Sequence, residues 1–264
     1  MEEDSEGCGK GRLSPRVIPL VSDRLPQGDH RADGVVLRRR EPTPKSRECL
    51  LFLRNLGAVW VGAPGGKNRF GGGTEPITWG NFTLYQSPRR LYLKSVDIAE
   101  DFLSLRRSRR TILLAVKWCE KLADMLPPGH ENDGALSLLW GCMKNMSLGA
   151  SPALLDARFS WRWANLWGVA PSLEFCPSCG GPLDESGSVW RSPEGFLCGE
   201  CSQAVSMSTV SREVFTILKF AGLSPREIFI KNSGGVDSLM RANEELAGQI
   251  SAMVEWFYSF LRLI

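Results

Sequence analysis

The stretch CPSCGGPLDESGSVWRSPEGFLCGEC places Cys176 and Cys179 two residues apart and Cys198 and Cys201 two apart, with eighteen residues between the pairs. This C-x2-C-x18-C-x2-C spacing matches a zinc pattern. Two residues between cysteines let one tight turn aim both sulfurs at a common point. Gly180, Gly181 and Gly199 supply the backbone freedom such knuckles use. Four thiolates at about 2.3 Å fill a tetrahedral shell and leave no open position, so the expected role is structural zinc, not catalysis. Two disulfides or a redox CxxC use the same residues. Disulfides need an oxidising compartment, and the acidic opening MEEDSEGCGKGRLSPRVIPL lacks the continuous apolar run of a secretory signal. A redox CxxC rarely comes as two matched pairs. A unit of about 26 residues, with Val189, Trp190, Phe196 and Leu197 as its apolar set, is too small to bury a sufficient core, so metal is expected to hold it together. The other cysteines, Cys8, Cys49, Cys119 and Cys142, stand singly and read as small hydrophobes, or as an exposed thiol where one lies in a tail.

Upstream of this unit the character is β. GVVLRR, ECLLFLRN, AVWVGAP, PITWGNFTLYQ and RRLYLKSVDI are short runs rich in β-branched and aromatic residues, separated by Gly, Pro and Asn turns. Five such strands over residues 34–100 predict a small closed barrel of the OB-fold kind, whose face binds single-stranded nucleic acid. Charge supports this. The chain's net charge is only +3, yet Gly34 to Val96 holds eleven Lys/Arg against three Asp/Glu, a local +8. Concentrated positive charge is an electrostatic footprint of nucleic-acid binding, though basic surfaces also serve anionic membranes and solubility. Residues 1–33 mix charge, Gly and Pro without periodicity and read as a disordered extension.

Beyond residue 100 the period becomes helical. FLSLRRSRRTILLAVKWCEKLADMLP aligns Leu105, Ile112, Val116, Cys119, Leu122 and Leu126 on one face. DGALSLLWGCMKNMSLG, SPALLDARFSWRWANLWG, SMSTVSREVFTILKFAG and QISAMVEWFYSFLRLI read as further helices. The fold class is therefore α+β: a five-stranded barrel (34–100), then a helical bundle (101–264) with a zinc-ribbon-like unit inserted at 174–203. No run of about 18 apolar residues signals a membrane span.

The glycine-rich loop APGGKNRFGGGTEP is not a phosphate-cradling P-loop. Val61 stands where the first glycine belongs, Asn68 follows Lys67, and a strand rather than a helix comes next. No GxSxG, HExxH or dinucleotide fingerprint occurs, and His30 and His130 are the only histidines. Acid–base catalysis by histidine is not expected. Asp97, Glu100 and Asp101 in DIAED are read as a solvated turn ahead of a magnesium site.

In order and spacing these pieces resemble the RecO family of bacterial recombination mediators. The resemblance rests on GVVLRRRE, on the loop and strand GAPGGKNRFGGGTEPITWGNFTLY, and on ALLDARFSWRWANLWGVAPSLEFCPSCGG; it spans roughly residues 34–264. PTPKSRE replaces the acidic turn usual after the family's first strand. The resemblance implies binding to single- and double-stranded DNA, annealing of complementary strands, and help in loading the RecA recombinase. It further implies association with RecR and with the C-terminal tail of single-stranded DNA-binding protein, in the cytoplasm at the nucleoid. Composition alone leaves open an RNA-binding or transcription-associated protein with an OB-fold and a zinc ribbon, and a zinc-containing nuclease.

DNA affinity comes mainly from phosphates neutralised by Lys and Arg, with counterions released. The candidates are Arg38, Arg40, Lys67, Arg69, Arg89 and Arg90. Alternation along a strand puts Arg38 and Arg40 on one face and Arg39 on the other. Among the aromatic candidates for stacking on bases, Phe70 is preferred because its neighbours are polar or Gly; Tyr85 is a further candidate, and Trp60, inside AVWVG, is read as core. The partner tail is acidic and apolar, and Lys117, Trp118 and Lys121 are the candidates for its groove, against core packing for Trp118. Arg106 to Arg110 form a second cationic cluster, read equally as a solvated face. Trp161 and Trp163 cannot both face inward on a regular helix, so one is expected at an interface.

Overall fold

The computed structural model describes residues 25–43, 46–65, 69–183, 189–202 and 208–261. Strand β1 spans Gly28–Thr43, β2 Ser46–Leu53, β3 Gly57–Pro64, β4 Trp79–Gln86 and β5 Leu91–Glu100. They close a barrel in the order β1-β2-β3-β5-β4, with β1 pairing β4 and a single parallel contact, Gly62 with Tyr92, joining β3 to β5. β1 begins at Gly28, inside the segment expected to be an extension, because Gly28–Val35 pairs residue by residue with β4. Residues 1–24, and with them Cys8, lie outside the described residues.

Alternation along the strands builds two cores. Val36, Leu51, Leu53, Val59, Val61, Phe82, Leu84 and Leu93 fill the barrel. Val35, Leu37, Leu50 and Phe52 point the other way and join the core of the helices. This explains why VVL and CLLFL are apolar without interruption: both faces of these strands are buried. Each such Val, Leu or Phe contributes about 1.5–3 kcal/mol by leaving water.

A short helix α1 (Leu103–Arg106) leads into α2 (Arg109–Met125), which packs on β1. α3 (Asp133–Ser147) and α4 (Pro152–Leu166) follow. Local chemistry fixes their starts: Asn132 Oδ1 accepts from Ala135 N–H, and Ser151 Oγ from Leu154 N–H with Pro152 in the first turn. α4 is the central helix, touching α2, α3 and two later helices. Trp161 and Trp163 are both buried, contrary to the expectation that one faces an interface, because neighbours pack on more than one side of α4.

The cysteine-bearing unit comprises β6 (Val189–Ser192), β7 (Gly195–Leu197), the short helix α5 (Gly199–Ser202) and β8 (Ser208–Val210), with strand order β7-β6-β8. Its apolar set does not stand alone. Phe196 meets Phe215 edge-on at 5.1 Å and Trp256 at 4.9 Å. These belong to α6 (Arg212–Leu223) and α8 (Glu244–Phe260). Between them lies α7 (Arg226–Ala242), which the sequence reading did not anticipate. It buries only a narrow line, Phe229, Ser233, Asp237 and Met240, and carries Gly234-Gly235 at mid-length, so its period is weak. The Oδ2 of buried Asp237 accepts from Ser151 N–H at 2.7 Å and ties α7 to the start of α4. Among the described residues no helix is long and apolar enough to cross a membrane.

Candidate nucleic-acid groove and metal centre

Three elements converge on one side of the barrel. In β3, Val59 and Val61 take the interior, so Trp60 between them faces outward and is 37% exposed. The sequence reading placed Trp60 in the core; the period of two overrides its apolar neighbours. On β1, Arg40 lays its guanidinium over the Trp60 ring, 4.1 Å from the centroid. Between β4 and β5 the turn Ser87-Pro88-Arg89-Arg90 is tied by Ser87 N–H to Arg90 O at 2.9 Å and by Arg90 N–H to Ser87 Oγ at 3.0 Å. It presents Arg89 and Arg90 at its exposed tip. Together with Glu48 and Pro128 these residues line a groove of about 330 Å³.

Outward aromatics continue the groove. Tyr92 is paired with Gly62, two residues from Trp60, and with Tyr85 on the next strand. Tyr85 and Tyr92 are 42% and 36% exposed. Trp60, Tyr92 and Tyr85 thus form an exposed aromatic row across β3, β5 and β4. Sequence reasoning missed Tyr92, although the alternation Leu91-Tyr92-Leu93-Lys94 held the signal.

Phe70 does not join them. It is 8% exposed and packs into the barrel core, because the turn at Arg69-Phe70 and the tight Gly71–Thr74 turn fold its ring inward. Arg69 is exposed, covers the Phe70 ring at 5.1 Å and reaches the Lys94 carbonyl on β5 at 3.4 Å. Lys67 lies outside the described residues.

Arg38 serves the seam instead. The β1–β2 register shifts between Val36 and Arg38, and Arg38 turns toward α2, where it donates to Glu120 and, at 2.7 Å, to Asp124. The Glu120 hydrogen bond, with that of Asp124, holds its guanidinium firmly protonated above its usual range against the opposing effect of burial. Arg39 pairs with Glu75. Arg47, buried, donates to Thr74 Oγ1 and Glu41, both at 2.7 Å, and pins the glycine-rich turn to β2. Arg106 is structural as well, donating to the carbonyls of Asp101 and Pro76. Arg107, Arg109 and Arg110 are exposed at the start of α2. In DIAED, Glu100 pairs with Lys144 at 3.0 Å and Asp101 Oδ1 accepts from Leu103 N–H, so these acids organise a turn.

The expected tail-binding trio is not a groove. Trp118 is fully buried, stacked on Phe159 at 5.0 Å, with its indole N–H donated to Asp156. Lys117 is neutralised by Asp156 at 3.2 Å and Glu255 at 2.8 Å. Lys121 lies against the ring of Tyr258. A different cavity, of about 300 Å³ between α3 and α4, has a cationic rim of Arg158, Arg162 and Arg226 over an apolar wall of Leu138 and Leu166. Arg158 and Arg162 donate only to carbonyls at the end of α6, Ala221, Gly222 and Ser224, and have no carboxylate partner among the described residues. Burial pushes the Arg158 guanidinium down to about 10.

The four cysteines meet as their spacing predicts. The Sγ atoms of Cys176, Cys179, Cys198 and Cys201 lie within 4.8 Å of one another, and Cys179 Sγ is 3.7 Å from Cys198 Sγ. A tetrahedral ion with bonds of about 2.3 Å sets its ligand sulfurs roughly 3.8 Å apart, so the donor set fits a metal. The first knuckle is held by Cys176 N–H to Gly181 O at 2.8 Å and Gly180 N–H to Cys176 O at 2.9 Å, with Gly180 at φ +71°. Burial opposes ionisation of Cys176, yet the backbone N–H groups of Cys198, Cys179 and Ser178 outweigh it and bring the thiol down to about 6. Cys201 goes the other way. The Ser178 side chain favours its thiolate, but the neighbouring sulfurs of Cys179 and Cys198 push it up to about 12. Four thiolates cannot crowd together without a cation among them, and a divalent ion resolves that conflict. By contrast burial pushes Cys49 and Cys142 up to about 12, as inert core thiols.

Comparison with known proteins agrees with this layout. A family model described as "Recombination protein O C terminal" matches residues 106–226. "DNA repair protein RecO" of Rubrobacter xylanophilus is 28% identical over 179 residues, 65% of this chain and 71% of that protein. Over this stretch the chain is similar to RecO proteins. The protein of the same name from Moorella thermoacetica is 27% identical over 180 residues, 66% of this chain and 67% of its own. That from Listeria monocytogenes serotype 4b is 24% identical over 177 residues, 65% and 68%. The segment matched by the family model begins just after the barrel, so the groove lining other than Pro128 lies outside it, and both pairs of cysteines lie within.

Proposed function

We propose that this protein is a non-enzymatic recombination mediator in DNA repair, which binds DNA on an OB-fold barrel, anneals complementary single strands and helps load the recombinase. The observation that carries the reading is the groove lined by Trp60, Arg40, Arg89 and Arg90, with Tyr92 and Tyr85 exposed on the adjoining strands. Bases stack on such rings without regard to sequence while cations hold the phosphates, which suits a protein that handles any strand. The barrel's strand order, β1-β2-β3-β5-β4 with β1 closing on β4, supports the OB-fold assignment. Relatives bearing the name "DNA repair protein" support the setting, at the nucleoid in the cytoplasm.

Zinc is the metal that suits four thiolates in a closed shell, and its part is structural. Bound there by Cys176, Cys179, Cys198 and Cys201, it supplies cross-linking of two knuckles and no reaction chemistry. RecR and the acidic, apolar tail of single-stranded DNA-binding protein are the partners, with RecA engaged indirectly. The cavity beside Arg158, Arg162 and Arg226 suits that tail better than Lys117, Trp118 and Lys121 do. Among the described residues it offers guanidinium groups without carboxylate partners, and an apolar wall.

The test is annealing of complementary oligonucleotides coated with cognate single-stranded DNA-binding protein. The intact chain accelerates it, and charge reversal at Arg40, Arg89 and Arg90 abolishes the gain. Undiminished annealing by the reversed protein refutes the groove. Metal-dependent cleavage of the strands refutes the non-enzymatic reading.

A further inference from the structure

Among the described residues, Glu48 is the one acid that lines the cationic groove. It sits on β2, paired in register with Arg40 on one side and Gly62 on the other. Its Oε2 accepts from Arg40 Nε at 2.6 Å, and its Oε1 lies 3.8 Å from a terminal nitrogen of Arg90. The carboxylate side chain is 21% exposed, against 57% and 69% for the two arginines. The acid therefore lies at the groove floor and the cations at its rim. Arg40, held by Glu48, covers the ring face of Trp60 on which a base would stack.

We propose that Glu48 is a built-in competitor for DNA phosphate: a latch that keeps Arg40 on Trp60 and Arg90 in place until a strand displaces it. The inference rests on the groove being the strand-binding surface. A phosphate that takes Arg40 and Arg90 replaces the Glu48 carboxylate, and a base that stacks on Trp60 first moves Arg40 aside. One carboxylate thus governs access to the cations and to the ring. Once displaced, it remains low in the groove beside the bound phosphates, and the repulsion between like charges hastens release. A grip of this kind suits a protein that must pass its strand on.

The latch leaves a mark in salt dependence. Each single-strand phosphate neutralised contributes about −0.7 to the slope of log affinity against log salt. Freed Glu48 recruits a cation from solution and cancels roughly one such contribution.

The experiment is an anisotropy titration of labelled oligo-dT with the full chain over a range of sodium chloride concentrations. Glu48→Gln is expected to bind about two- to tenfold more tightly at low salt, with a slope steeper by about 0.7. Glu174→Gln, an equal change of net charge on the cysteine-bearing side, changes affinity less than about twofold. In an Arg40→Gln, Arg90→Gln background, Glu48→Gln gains clearly less than in the parent, because only the repulsion of phosphate and not the latch is left to remove. If Glu48→Gln does not fold as the parent does by thermal unfolding, Glu48→Thr, well suited to a strand, replaces it. Binding no tighter than the parent in a folded Glu48 variant overturns the latch and makes Glu48 a positioning residue. So does an equal gain in the arginine-less background. Unaltered binding by the Arg40→Gln, Arg90→Gln protein itself overturns the groove; loss there without gain at Glu48 overturns the latch alone.

Discussion

Arg38 and Arg40 stand two residues apart on one strand, yet they belong to different regions. Arg38 enters the seam between barrel and helices, where Glu120 and Asp124 of α2 hold it. Arg40 reaches the groove, where an aromatic ring supports it and a single carboxylate pairs with it. Four further cations of the basic stretch, Arg39, Arg47, Arg54 and Lys94, face Glu75, Glu41, Asp133 and Asp29. The local excess of positive charge is thus divided between ion pairs that hold the fold together and a groove open to solvent, and what an arginine faces decides where it belongs.

The strongest way to break the contrast is to reverse Arg40, Arg89 and Arg90 to Glu together. Three lost phosphate contacts and three new repulsions are expected to weaken single-strand binding about 100-fold or more at low salt, measured by anisotropy, with the unfolding temperature nearly unmoved. Equal loss on reversing Arg107, Arg109 and Arg110 instead would put the DNA surface at α2. Next come two aromatic truncations with opposite signatures. Phe70→Ala empties part of the barrel core and should cost about 3–4 kcal/mol of stability in denaturant titration, with little change in affinity per folded molecule. Trp60→Ala should do the reverse, losing about 1–3 kcal/mol of single-strand affinity while the denaturation midpoint holds.

The contrast between Phe70 and Trp60 also shows what the sequence could and could not reveal. The barrel strands, the longer helices other than α7 and the four cysteines were legible because each rests on local period or fixed spacing. The aromatic assignments were not. Phe70 looked exposed among glycines, but a tight turn carries it inward; Trp60 looked buried among valines, but alternation carries it outward. Arg38 was misplaced because a register shift and a carboxylate pair from residues 82 and 86 positions away lie beyond any local window. Trp118 and Lys117 misled for a related reason. Their partners Asp156 and Glu255 come from α4 and α8, and only the packed bundle brings them together.

A smaller effect is expected at the seam. Arg38→Ala leaves Glu120 and Asp124 facing each other without their cation and should lower stability by about 1–2 kcal/mol, read as a fall of a few degrees in thermal unfolding. Single-strand affinity should stay within about twofold, and a larger loss would return Arg38 to the DNA surface. The smallest effect sharpens the comparison from the far side of the molecule. Stripping metal with a chelator should loosen the cysteine knuckles, seen as increased amide exchange around residues 176–201. The groove should still bind oligo-dT within about twofold, because none of its lining comes from that unit.

The double-sided burial of β1 and β2 has a consequence for how the chain can be taken apart. Leu37, Leu50 and Phe52 spend their outward faces on α2 and its neighbours. Cutting after residue 100 would strip these side chains bare and leave a greasy flank on an otherwise cationic fragment. Such a fragment would self-associate before it could report on DNA, so the smallest honest unit for binding studies retains the helices that shelter that flank.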